Sequence, residues 1–225
     1  MKVLVAFTKP DTGRAISQLA SKLEGIREIQ VVTVWNQKEI SIPSELNREL
    51  DEIASMLVNS SIPFKIEMIY GENVPLEIQN AANRMNADAV LLGAANTVFS
   101  SDLFGGRVAE VMKGFSRPVY ILANKNLSYP FDPVLLTCND APYNFLEKNE
   151  PLSGLSLDSI PLLANQVVPQ KSSYWDLKGE FDLDKRWLKP YNLIVTDYKT
   201  YSLYDDFFIK ESDQSCLVYC NQANF

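Results

Sequence analysis

The chain reads as an α/β protein: a doubly wound, parallel, five-stranded sheet followed by a second, shortened copy of the same unit. Three observations carry this reading. Short runs rich in β-branched and aliphatic residues alternate with stretches of helical periodicity up to residue 122. Residues 88–122 contain one whole strand–loop–helix–strand unit, its loop bearing Gly105-Gly106. The apolar runs at 134–136, 192–197 and 216–219 then repeat those of the first half in the same order.

Lys2–Phe7 is a strand of the kind buried on both faces, with Thr8-Lys9-Pro10-Asp11 as the loop after it. Ile16, Leu19, Ala20 and Leu23 mark one face of a helix that ends near Gly25, with Asp11 or Thr12 as its cap. Ile29–Trp35 is a second strand, rich in β-branched residues. Ser44–Ser60 places Leu46, Leu50, Ile53, Leu57 and Val58 at helical intervals, which predicts an amphipathic helix. Phe64–Tyr70 is a third strand. Val74–Met85 is a third helix with Leu76, Ile78, Ala81, Ala82 and Met85 facing inward.

The fourth strand, Ala89–Leu92, ends on Gly93. Val108, Val111, Met112 and Phe115 recur at helical spacing after the glycine pair, and Pro118 stops that helix before a fifth strand, Val119–Leu122. This loop is where the chain resembles a family. The universal stress proteins carry G-x2-G-x9-G-[ST] between their last two strands, where it wraps the ribose and phosphates of ATP. Here the spacing is kept as Gly93-x2-Asn96-x9-Gly106-Arg107, with two of the four positions changed. Asn96 is the milder change, because Asn tolerates positive φ. Arg107 replaces a hydroxyl with a guanidinium that either binds a phosphate or fills its place. The loop carrying Asn96, Phe99, Ser100, Asp102, Leu103, Gly105 and Gly106 is most similar to stress-protein domains fused behind bacterial cation/proton antiporters.

The resemblance implies the adenine nucleotide α-hydrolase-like fold with strand order 3-2-1-4-5. It also implies a nucleotide site at Thr8, Gly93, Asn96, Gly105, Gly106 and Arg107, with Thr8 where the family pattern has an Asp. It further implies that two such units pair through their last strands. Within this chain that means Val119–Leu122 against Cys216–Tyr219, antiparallel, as an intrachain pseudo-dimer. The expected organisation is a stress-protein-like domain at 1–124 and a reduced one at 130–225. The second copy is short mainly in its middle, where Leu152–Lys189 has weak periodicity and reads as irregular loops with one helix near Asp182–Leu188. Its counterpart of the first loop, Tyr198–Tyr204, has no glycine, and Asp197 stands where Gly93 stands. A carboxylate there repels phosphate, so the second copy is not expected to bind a nucleotide.

Composition narrows the function. The 225 residues carry 21 Lys and Arg against 28 Asp and Glu, for a net charge of −7, and this opposes binding to nucleic acid or an anionic membrane. No apolar run approaches the roughly 20 residues of a membrane span, and the first residues read as a strand rather than a signal peptide. The expectation is a cytoplasmic protein without membrane insertion. There is no histidine, which removes the commonest general base and zinc ligand. Cys138, Cys216 and Cys220 lack metal-ligand spacing and read as reduced thiols, so no metal is expected. Asp11 reads as a helix cap, Ser100, Ser101 and Asp102 as a solvated loop, and Tyr198, Tyr201, Tyr204, Phe207 and Phe208 as core and interface. Asp205 and Asp206 read as first-turn acids of a helix.

No nucleophile lies beside a base, so the expectation is a non-enzymatic regulator or sensor holding ATP or another anionic ligand in its first domain. The alternative is a regulatory module related to antiporter tails, acting on a protein partner without nucleotide. An α-hydrolase-type enzyme would need a phosphate loop after the first strand, and Thr8–Gly13 offers one glycine and a proline.

Overall fold

The computed structural model of the chain describes residues 1–7, 10–35, 44–94, 110–111, 113–123, 134–137, 149–155, 157–158, 191–198 and 214–220, together with 127, 131, 145 and 201. The expected alternation is present in β1 (Lys2–Phe7), α1 (Pro10–Ala20), β2 (Glu28–Trp35), α2 (Ser44–Val58), β3 (Phe64–Tyr70), α3 (Val74–Met85), β4 (Ala89–Ala94) and β5 (Val119–Ala123). Glu110, Val111 and Lys113 are helical, so the described end of the helix before Pro118 is where the periodicity places it. The second half contributes β6 (Val134–Thr137), a 3-10 turn at Glu150–Gly154, β7 (Leu157–Asp158), β8 (Leu193–Asp197) and β9 (Ser215–Cys220).

The nine strands among the described residues form one sheet in the order β3-β2-β1-β4-β5-β9-β8-β6-β7. The first five follow the order 3-2-1-4-5 that the resemblance implied, and every pair is parallel except the central one. At that centre β5 and β9 run antiparallel, with Val119 opposite Cys220 and Ala123 opposite Cys216. The antiparallel pairing expected of these strands is therefore present, and it leaves neither of them as an edge.

Alternate residues of each strand build two cores. On one face Leu4, Ala6, Val90, Leu92, Ile121 and Val218 pack under α3 and Phe115. On the other, Val3, Val5, Phe7, Leu91, Leu122 and Leu217 pack under α1 and α2, and Phe131, Phe145 and Leu152 extend that cover over the second half. Apolar cover on both faces explains why β1, β4, β5 and β9 read as unbroken apolar runs. Each fully buried Val, Leu or Ile contributes roughly 1.5–3 kcal/mol, so these strands and the helices packed on them share the hydrophobic stabilisation.

Three local expectations are corrected. Val58 is 66% exposed and Leu76 is 46% exposed. Val58 lies roughly 120° around the helix from Leu46, and Leu76 roughly 200° from Ile78, so neither shares the buried stripe. The inward positions of α2 are Leu46, Glu49, Ile53 and Leu57, and α3 adds Val74 and Pro75 at its start. α1 begins at Pro10, so Asp11 and Thr12 lie inside its first turn rather than capping it. Proline is pre-organised for that first position and needs no partner for a missing N–H. The loops and helix expected in the middle of the second copy lie outside the described residues beyond Asp158. The same holds for Cys138, Ser100, Ser101, Asp102, Tyr204, Asp205, Asp206, Phe207 and Phe208.

Candidate functional site

In an open α/β sheet a ligand crevice opens at the carboxyl ends of the strands where the winding direction reverses. From β1 the chain winds outward to β2 and β3 through α1 and α2 on one face, and α3 then returns it to β4 on the other. The reversal therefore falls between β1 and β4. Ala6 pairs with Leu92, so the next residues, Phe7 and Gly93, stand side by side at the mouth.

Gly93 stands in a close approach. A Cβ there would lie 3.0 Å from Thr12 Oγ1 and 3.3 Å from Phe7 Cβ, so the first turn of α1 rests directly on the end of β4. Gly13 plays the matching part on the helix: a Cβ would meet the Phe7 ring at 2.6–2.8 Å. Phe7, Thr12, Gly13 and Gly93 thus close the floor of the crevice with buried contacts. Of the residues that the resemblance assigns to a nucleotide, Gly93 is the one placed here. Thr8, Asn96, Gly105, Gly106 and Arg107 lie outside the described residues.

One contributor escaped the sequence reading. Glu49 is only 8% exposed, and its Oε1 accepts the Arg14 backbone N–H at 2.6 Å. An acid three residues after Leu46, on the apolar stripe of α2, was the available signal. The carboxylate thus ties α2 to the second turn of α1. The Arg14 guanidinium is engaged with Glu52 Oε2 at 2.7 Å.

The second half has a corresponding reversal between β6 and β8, where Thr137 pairs with Thr196. Gly93 pairs with Leu122, three residues into β5 from Val119, and Asp197 with Tyr219, three residues on from Cys216. Asp197 therefore does stand in the register of Gly93, and it is buried. Cys220 lies beside it: burial pushes the thiol well above its ordinary value of 9.0, and the Asp197 carboxylate and Cys216 push it the same way. Burial, then Cys220, also raises the Tyr198 phenol. Tyr201 is buried in the same cluster and Tyr198 packs against it, as core residues. The buried Asp197 carboxylate repels an anion, and the Cys220 S–H beside it already donates to the Val218 carbonyl. Among the described residues no three Cys, Asp or Glu side chains group as metal ligands, and no helix is long and apolar enough to cross a membrane.

No protein-family model matches the chain, and no curated protein matches it. Solved structures do. The universal stress protein from Archaeoglobus fulgidus DSM 4304 aligns over 98% of this chain and 96% of its own, with 17% identity and a TM-score of 0.57. The fold is that of a universal stress protein. A second universal stress protein, solved in complex with cAMP, aligns over 52% of this chain and 93% of its own, with 16% identity and a TM-score of 0.39. The universal stress protein fold is the adenine nucleotide α-hydrolase-like arrangement expected from the Gly93–Arg107 loop.

Proposed function

We propose that the chain is a non-enzymatic, universal-stress-protein-like regulator in which one crevice, between β1 and β4, takes an adenine nucleotide or another anionic ligand. The second half is a degenerate copy (about 130–225) that serves as a permanent partner for the first (about 1–124). The observation that carries the reading is the packing of Gly93 on Thr12 and Phe7 at the winding reversal. It keeps the mouth of the first crevice glycine-floored, while Asp197 fills the equivalent register in the second. Ligand phosphates then fall to the Gly105-Gly106-Arg107 end of the loop, which precedes a helix.

The lack of histidine, and of a nucleophile beside a base, in the sequence supports a binding role over hydrolysis. Cytoplasmic localisation follows from the same reading, since the ligand class is intracellular.

The test is calorimetric titration of the full chain with ATP, ADP and cAMP, beside Gly93→Val and Arg107→Ser variants. The reading expects saturable binding by the wild type and its loss in Gly93→Val. It also expects no release of phosphate or pyrophosphate from bound ATP. Binding that appears only in Arg107→Ser would mean that the guanidinium fills the phosphate place. Absence of binding in all three would overturn the nucleotide reading and favour a module that acts on a protein partner, as antiporter-linked relatives would.

A further inference from the structure

Among the described residues the sheet has one long edge. β5 and β9 cover each other, β7 has two residues, and among the described residues nothing pairs with the outer side of β3. The direction of the β3 backbone groups follows from its pairing with β2. Ile29 N–H donates to Pro63 C=O and Gly71 N–H to Trp35 C=O, so the odd-numbered residues bond inward. The N–H and C=O groups of Phe64, Ile66, Met68 and Tyr70 therefore point out of the edge. Pro63, which lacks an N–H, has the inward phase and leaves no gap in that outer row.

The side chains make this edge self-complementary about Ile66. A lone lysine guards an edge against association. Lys65 and Glu67 instead form a pair of opposite charges, one residue either side of Ile66, 2.9 Å apart, with side chains 65% and 28% exposed. In an antiparallel pairing of two copies centred on Ile66, Lys65 of each chain faces Glu67 of the other in the closer, non-hydrogen-bonded type of pair. Centring on residue 65 would oppose two lysines, and centring on residue 67 would oppose two glutamates. Charge thus selects one register.

On the opposite face that register sets Phe64 against Met68, Ile66 against Ile66, and Tyr70 against Ile62. The first three and Ile62 are partly buried against the α1–α2 core, and Tyr70 is 54% exposed. Aromatic–sulfur, aliphatic and aromatic–β-branched cross-strand pairs are each favourable.

We propose that β3 is a homodimerisation edge, on which a second copy of this chain adds its own β3 antiparallel about Ile66 and extends the sheet through a two-fold axis. About six main-chain hydrogen bonds form across it. The proposal does not depend on the ligand crevice.

Sedimentation velocity of the full chain across micromolar to sub-millimolar concentrations tests it, with Lys65→Glu and Glu67→Lys variants measured alone and mixed. The wild type is expected to dimerise. Each variant alone places like charges in opposition twice and weakens the dimer about tenfold or more. The equimolar mixture restores opposite charges at both contacts and so restores dimerisation. Because Glu67 also accepts from Gln30 Nε2 at 2.9 Å, its variant is checked for folding by circular dichroism. Hydrogen exchange on the wild type gives an independent readout. The amides of Ile66 and Met68, solvent-facing in a monomer, gain protection as concentration rises. A wild type that stays monomeric, variants that dimerise as well alone, or edge amides whose exchange ignores concentration would each overturn the proposal.

Discussion

At Gly13 and Phe7 two residue-scale effects compete. Alanine for glycine in a helix normally gains about 1 kcal/mol. Here the added methyl would stand 2.6 Å from the Phe7 ring, and overpacking of a tight core costs roughly 1–3 kcal/mol. Packing is the larger effect, so Gly13→Ala is expected to lower the urea midpoint. Pairing it with Phe7→Leu, which removes the clash, should recover most of the loss. An alanine variant more stable than the wild type would show that α1 does not sit on β1 as described. Gly93 belongs to the same scale. Its importance was legible as a glycine ending an apolar run, but not its reason, because contact with Thr12 depends on where α1 returns to the sheet. Glu49 was passed over for a related reason: periodicity counts apolar residues, and an acid on the apolar stripe registers only as an interruption.

At the element scale, strands and helices of the first half were legible because pattern and propensity agree. β3 and α3 have the residues that periodicity assigned them. The exposed Val58 and Leu76 show where hydrophobicity alone misleads, since side-chain type does not fix azimuth. α3 also has a start signal in Asn73, whose Oδ1 accepts the Leu76 N–H at 3.2 Å, with Pro75 in the first turn. Asn73→Ala is expected to cost about 1 kcal/mol and lower the melting temperature by a few degrees. Asn73→Ser should retain most of the stability. Indifference to alanine would mean that tertiary packing alone holds the start of α3. In the second half the legible elements were those with long apolar runs, β6, β8 and β9. The two-residue β7 and the 3-10 turn at Glu150–Gly154 are too short to carry a period.

At the scale of the whole molecule the halves meet along β5 and β9 and through polar contacts on one face. The Tyr120 hydroxyl donates to Asn149 Oδ1 at 3.1 Å, and Asn149 Nδ2 donates to the Phe145 carbonyl at 2.8 Å. Phe145 stacks edge-on against Tyr219 at 5.7 Å. Burial holds the Tyr120 phenol protonated, with Tyr219 adding to the effect, so it remains a donor through ordinary alkaline conditions. Farther out, Glu24 N–H donates to Pro151 C=O at 2.9 Å and Ser153 Oγ to Glu24 Oε2 at 2.6 Å. A seam of this kind couples the two halves. Leu217→Ala, at the buried centre of β9, is expected to destabilise by about 2–5 kcal/mol and to shift the unfolding of β1 and β8 together in native-state hydrogen exchange. Loss of protection in β8 alone would mean that the halves unfold independently.

The same asymmetry sets the functional claim: one crevice floored by glycine and one with buried Asp197 in the equivalent register, within the one sheet that the described strands form. Its most direct test is the stoichiometry of ATP binding to the full chain, by equilibrium dialysis with labelled nucleotide at saturating concentration. The account predicts one nucleotide per chain, lost in Gly93→Val and kept in Asp197→Gly. Two nucleotides per chain, or one that survives Gly93→Val, would contradict it.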